Sequence, residues 1–128
     1  MSFNWTEYLD LAYELDDIPV AQPAGREAHQ RAALSRAYYA VYNTALTIAK
    51  SKDQYVEPGG VSVHQHLIAH FTRSSDPRRQ DIAVDLRRLL GYRREADYNN
   101  FISPVLLSQR SVIGLQWATH LLAKLARL

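Results

Sequence analysis

The chain has 128 residues, 47% of them hydrophobic, with 15 basic and 13 acidic side chains and a formal net charge of +2. That length suits one domain, 1–128, around one core. A charge so near neutrality does not by itself point to nucleic acid, no apolar run of about 18 residues offers a membrane span, and the absence of cysteine excludes disulfides and thiolate metal sites.

In chain order, the first predicted helix covers about 4–16, where Trp5, Tyr8, Leu9, Ala12 and Leu15 recur at helical spacing. The leading MSFNWTEYLDLAYELDD has neither a basic n-region nor a small-residue cleavage site, so no secretory signal is expected and a cytoplasmic location is. Pro19 and Pro23 separate it from a long second helix, about 25–51, with Leu34, Tyr38, Val41, Ala45 and Ile48 on one stripe. Asp53 to Gly60 reads as a loop, and a third helix follows over about 62–74. Asp76-Pro77 is an N-cap and N1 pair that opens the fourth helix, which carries Ile82, Leu86, Leu89 and Leu90. Ser103-Pro104 opens the fifth in the same way, with Leu106, Ile113, Trp117 and Leu121 on one side. No segment alternates with period two, so the expected fold is all-α, an up-and-down bundle of four to five helices.

Charge is unevenly spread. Residues 1–25 carry Glu7, Asp10, Glu14, Asp16 and Asp17 and no lysine or arginine. Residues 73–94 carry Arg73, Arg78, Arg79, Arg87, Arg88, Arg93 and Arg94 against Asp76, Asp81 and Asp85. A solvated helix face and a phosphate-facing surface both fit that excess.

Three constellations could carry chemistry. At about 100° per residue, Ile82, Leu86, Leu89, Arg93 and Asp97 share one sector of the fourth helix. Arg93 and Asp97 therefore continue a core-facing stripe, where a charge must be paired. They form either a packing ion pair or the lining of a polar cleft. On the second helix, Arg36, Tyr39 and Asn43 lie nearly opposite the Leu34 stripe, and the neighbouring tyrosines suggest burial on more than one face, by the bundle or by a dimer. On the third helix, His66 and His70 stand four apart, but Leu67, Ile68 and Ala69 lie between them and no acid occurs between His64 and His70. No metal is expected there. No nucleophile elbow, P-loop or GxGxxG occurs, so no cofactor is expected.

RAALSRAYYAVYNTA, VHQHLIAHF and LRRLLGYRREADYNNF occur in that order. Over about 26–125 the chain resembles the HEPN domain (higher eukaryotes and prokaryotes nucleotide-binding), in its small stand-alone prokaryotic branch. SRAYYA and RxxxDY are the most specific pieces. The resemblance implies a bundle of four to five helices, often homodimeric. Many members sit beside a nucleotidyltransferase partner protein in toxin–antitoxin or defence loci, and many are metal-independent RNases. Active members use an arginine and a histidine spaced Rx4–6H on the helix corresponding to the fourth here. Arg93 matches the arginine, but positions 98 to 100 hold Tyr98, Asn99 and Asn100. A tyrosine near pKa 10 does not replace a histidine near 6.5 as a neutral-pH proton carrier.

The expectation is thus a non-catalytic or weakly active module that binds RNA, a nucleotide or a protein partner. Arg36, Arg93 and Asp97 shape its polar cleft, beside Tyr39 and Asn43, with Tyr98 and Asn99 at the rim. The rivals are an RNase in which His64 or His66 reaches Arg93 from another helix, and a purely structural interaction domain.

Overall fold

The computed structural model describes residues 3–17, 25–60 and 62–128, and among them there are helices and no strands. Five helices follow in order: α1 (Glu7–Asp16), α2 (Arg26–Lys52), α3 (Val63–Thr72), α4 (Pro77–Tyr98) and α5 (Pro104–Ala126). The chain forms an all-α bundle. Pro19 and Pro23, the predicted breakers between the first two helices, lie outside the described residues. Among the described residues, no helix is long and apolar enough to cross a membrane.

Two helix starts follow directly from local chemistry. The Asp76 carboxylate accepts from the Arg78 amide at 2.9 Å, with Pro77 at the position that needs no N–H. The Ser103 hydroxyl accepts from the Leu106 amide at 3.1 Å, with Pro104 alike. α1 starts at Glu7 instead of residue 4, because Trp5 and Thr6 sit in the preceding turn. α2 ends at Lys52 with Asp53 as its C-cap, and Gln54 turns the chain with a left-handed φ of 56°.

α2 is the central element and packs against α1, α4 and α5. Its Ala33, Ala37, Ala40, Ala45 and Ala49 are fully buried. Such small side chains let three helices approach it, so that burial on α2 extends well beyond the Leu34–Ile48 stripe. The core is completed by Tyr38, Phe71, Ile82, Leu86, Leu89, Leu115 and Leu121, all buried. Each buried leucine contributes about 1.5–3 kcal/mol.

The predicted face of α5 requires correction. Leu106 and Ile113 are exposed, Trp117 is half-buried, and only Leu121 of that stripe lies in the core. The buried side runs through Leu107, Ser111, Gly114, Leu115, Ala118, Leu121 and Leu125. Close approach decides the matter. A Cβ at Gly114 would run into the Leu34 side chain of α2, so the small residues face inward and the larger ones are turned aside.

Candidate functional site

The C-terminal half of α4 is fixed from α2. Arg31 donates from Nη1 to the carbonyls of Ala96 at 2.9 Å and Asn99 at 2.6 Å. These are helix-end carbonyls that have no partner within their own helix. The segment Arg93 to Asn99 is thereby held against α2.

Within it, Arg93 Nε lies 2.7 Å from Asp97 Oδ2, one turn on. The Arg93 side chain is 11% exposed and that of Asp97 25%. The Nε–H is not aimed at the oxygen, so this is an ion pair without a well-aligned hydrogen bond. Ser35 Oγ stands 3.4 Å from the same oxygen, a long contact. The guanidinium carbon lies 5.1 Å from the Tyr39 ring centre and 5.4 Å from that of Tyr98. Arg93 is therefore clasped between two rings, an arrangement that orients its flat cation.

His64, at the start of α3, enters the same assembly. Its Nδ1 lies 2.8 Å from the Tyr38 hydroxyl, and its ring centre is 4.5 Å from that of Tyr42 and 5.9 Å from that of Tyr39. Burial, and then the positive charges of Arg93 and Arg94, hold its pKa below the usual histidine range. Burial pushes the Tyr38 phenol up, and Tyr42 is pushed up to about 12 by burial and then by Glu57. Both phenols keep their protons at neutral pH. The Tyr38 hydroxyl and the neutral imidazole share one hydrogen bond through Nδ1, and the imidazole tautomer sets which of them donates. His66 does not join this group. It lies about 200° around α3 from His64, and its Nδ1 is 2.7 Å from the Tyr55 hydroxyl.

The other sequence candidates divide. Tyr39 belongs to the cluster. Arg36 turns away to α1, where its guanidinium lies 5.3 Å from the Tyr8 ring centre. Asn43 folds back on its own helix, donating to the Tyr39 carbonyl at 2.9 Å. Tyr98 is 72% exposed at the end of α4. Asn99 is the C-cap, with its side chain accepting from the Phe101 amide at 3.1 Å. Ser35 and Arg31 were not singled out from sequence, Arg94 counted only in the basic excess of 73–94, and Tyr42 only among the neighbouring tyrosines of α2. Tyr38 was placed on the apolar stripe and among those tyrosines, and nothing local reveals that its hydroxyl meets a histidine 26 positions on.

Beside the cluster runs an outward stripe. Arg87, Arg94 and Tyr98 share one face of α4 by helical phase, and all three are exposed. Asp85 engages Arg88 at 3.7 Å and Lys124 at 2.8 Å. Arg78 and Arg79 pair with Asp76. Arg87 and Arg94 make no ion pair among the described residues. Phe101, just beyond, is 91% exposed.

The chain matches no protein-family model, no curated protein and no solved structure. The site must be read on its own chemistry. It offers two free guanidiniums, one clasped guanidinium, exposed aromatic rings and a neutral histidine. Among the described residues, no three side chains of the metal-binding types converge.

Proposed function

We propose that this chain is an RNA- or nucleotide-binding helical module of the HEPN kind. Arg87 and Arg94 take phosphates, and Tyr98 and Phe101 stack on bases. The observation that carries this reading is the exposed line of Arg87, Arg94 and Tyr98 on α4 with exposed Phe101 just beyond its end, cations and aromatic rings together, the pairing that single-stranded nucleic acid requires. The HEPN assignment rests on the order of the three sequence blocks. It agrees with a helical bundle in which the SRAYYA block on α2 packs beside Arg93 and Asp97 on α4. In that setting the module works in a toxin–antitoxin-like or defence context, as a homodimer or with a nucleotidyltransferase partner.

A second reading, a metal-independent RNase, is favoured by His64. No histidine follows Arg93 in sequence at the usual spacing, yet one reaches its neighbourhood from α3. A neutral imidazole whose Nδ1–H donates to Tyr38 has Nε2 open to take a proton while Arg93 balances phosphate charge.

Fluorescence anisotropy with a short single-stranded RNA tests the binding. Affinity should fall steeply between 50 and 200 mM salt. Arg94→Ala should weaken it and reduce the salt slope by about one unit. Absence of binding at low salt refutes both readings. Cleavage of RNA in EDTA that vanishes in folded His64→Gln selects the enzyme over the binding module.

A further inference from the structure

A second polar assembly lies on the other side of α3. The end of α2, the last turn of α3 and the start of α4 surround an open cavity of about 610 Å³. At its base, Asp53 is engaged through both oxygens. Arg79 donates from Nη2 to Oδ1 at 2.8 Å and from Nε to Oδ2 at 3.1 Å, while His70 Nε2 lies 3.0 Å from Oδ2. Burial alone would raise the Asp53 pKa, but the hydrogen bonds from Arg79 and His70 outweigh it and hold the carboxyl below its ordinary range. Arg79 also donates from Nη1 to Asp76 at 2.8 Å. Asp53 Oδ2 is thus engaged twice and Oδ1 once, both by cationic or imidazole donors of the protein itself.

What remains free around the cavity is donors. Tyr55 stands 2.7 Å from His66 Nδ1. Burial and then Glu57 raise its pKa, so the phenol keeps its proton at neutral pH. In the tautomer whose Nδ1 accepts from that phenol, His66 presents its Nε2–H to the cavity. The Ser74 oxygen accepts from the Asp76 amide at 3.1 Å, which leaves its O–H to donate. The side chains of Ser75 and Arg73 make no hydrogen bond among the described residues, and both line the cavity. Charge points the same way. Asp53 and Asp76 are matched by Arg79 and Arg78, so Arg73 is left as an unbalanced cation. A cavity whose spare hydrogen-bonding groups are donors, with one excess positive charge, suits an anion with several acceptor oxygens. Its volume falls within the range of about 300–1,000 Å³ that holds small ligands.

We propose that this cavity binds the phosphoryl group of a small phosphate monoester, with Arg73, His66 and the hydroxyls of Ser74 and Ser75 donating to its oxygens. The Asp53–Arg79–His70 group is the scaffold that orients them. This site is distinct from the α4 stripe, and its occupant is a small molecule, not a polynucleotide.

The test is an NMR titration of the intact chain, following the imidazole C–H signals. The probes are inorganic phosphate and glycerol phosphate, with glycerol as control. Both phosphates should move the His66 and His70 signals saturably, with those of His64 and His120 unmoved. Arg73→Ala should raise Kd by about tenfold or more, since a charge-assisted contact is lost, at an unchanged melting temperature. Arg94→Ala should leave Kd unchanged, so that failure of the RNA-binding reading leaves this one standing. A response to glycerol, no saturation at His66 and His70, or an unaltered Kd in Arg73→Ala overturns the proposal. So does a short RNA without terminal phosphate that moves the same signals more strongly than glycerol phosphate.

Discussion

Replacing Arg93 with alanine removes three contacts at once: the Asp97 ion pair and the faces of Tyr39 and Tyr98. An exposed ion pair contributes about 0–1 kcal/mol, whereas breaking a fully buried one costs about 3–5 kcal/mol. Arg93 is 11% exposed and Asp97 25%, so this pair stands between those limits, at about 2 kcal/mol. The ring contacts add about 0.5–1 kcal/mol, chiefly through Tyr39, because Tyr98 faces solvent. The expected loss is about 2–3 kcal/mol. At about 3–4 °C per kcal/mol for a chain of this size, Tm falls by about 6–12 °C. Urea denaturation should show a lower midpoint with m unchanged. Arg93→Lys, which keeps the charge without the flat stacking face, should lose about 1 kcal/mol. A double-mutant cycle with Asp97→Ala should return a coupling of at least about 1 kcal/mol. A coupling near zero, or a Tm change within about 2 °C, would show that solvent screens the pair and that α4 is held without it.

Two further predictions concern His64 and the helical glycines. His64 binds a proton less readily in the folded chain than in the unfolded one, so on acidification the unfolded chain takes up that proton first and stability rises with pH across the window. Its contribution is complete above the unfolded value of about 6.5 and is lost as pH falls below it toward the lower folded value. The groups facing it are Tyr38, Tyr39, Tyr42, Arg93 and Arg94. Urea midpoints between pH 7.5 and 5 should therefore drop more steeply in the native chain than in His64→Gln, and equal slopes rule the effect out. Gly91→Ala places a methyl in open space at an exposed position within α4 and should stabilise by about 0.5–1 kcal/mol. Gly114→Ala meets Leu34 and should instead destabilise, by overpacking of about 1–3 kcal/mol less that same helical gain, and a Tm at or above that of the native chain counts against the close approach of α5 to α2.

Local signals were the most legible in the sequence. Asp76-Pro77 and Ser103-Pro104 act as caps because their chemistry involves only neighbours in the chain. The stripe Ile82, Leu86, Leu89 faces the core as its spacing indicates, and Arg93 and Asp97 continue it as a pair. The α5 face was misread because the larger apolar residues were taken as the core side, whereas interhelical distance placed Ser111, Gly114 and Ala118 there. Hydrogen bonds between distant residues, Tyr38 with His64 and Asp53 with Arg79, have no signature within any window of sequence. The expectation of an open cleft at Arg93 is met instead by a clasped guanidinium next to an exposed stripe, and the cavity opens at Asp53.

Asp53 also bears on how the bundle opens. It caps the end of α2, and its carboxylate holds His70 in the last turn of α3 and Arg79 in the first turn of α4. Three helix ends thus share one anchor. α3 cannot swing away by simple fraying, because its departure strips a partner from the carboxylate that also fixes α4. In hydrogen-exchange language, the amides of α3 and those of the first turn of α4 should open as one cooperative unit, and Asp53→Asn should uncouple them.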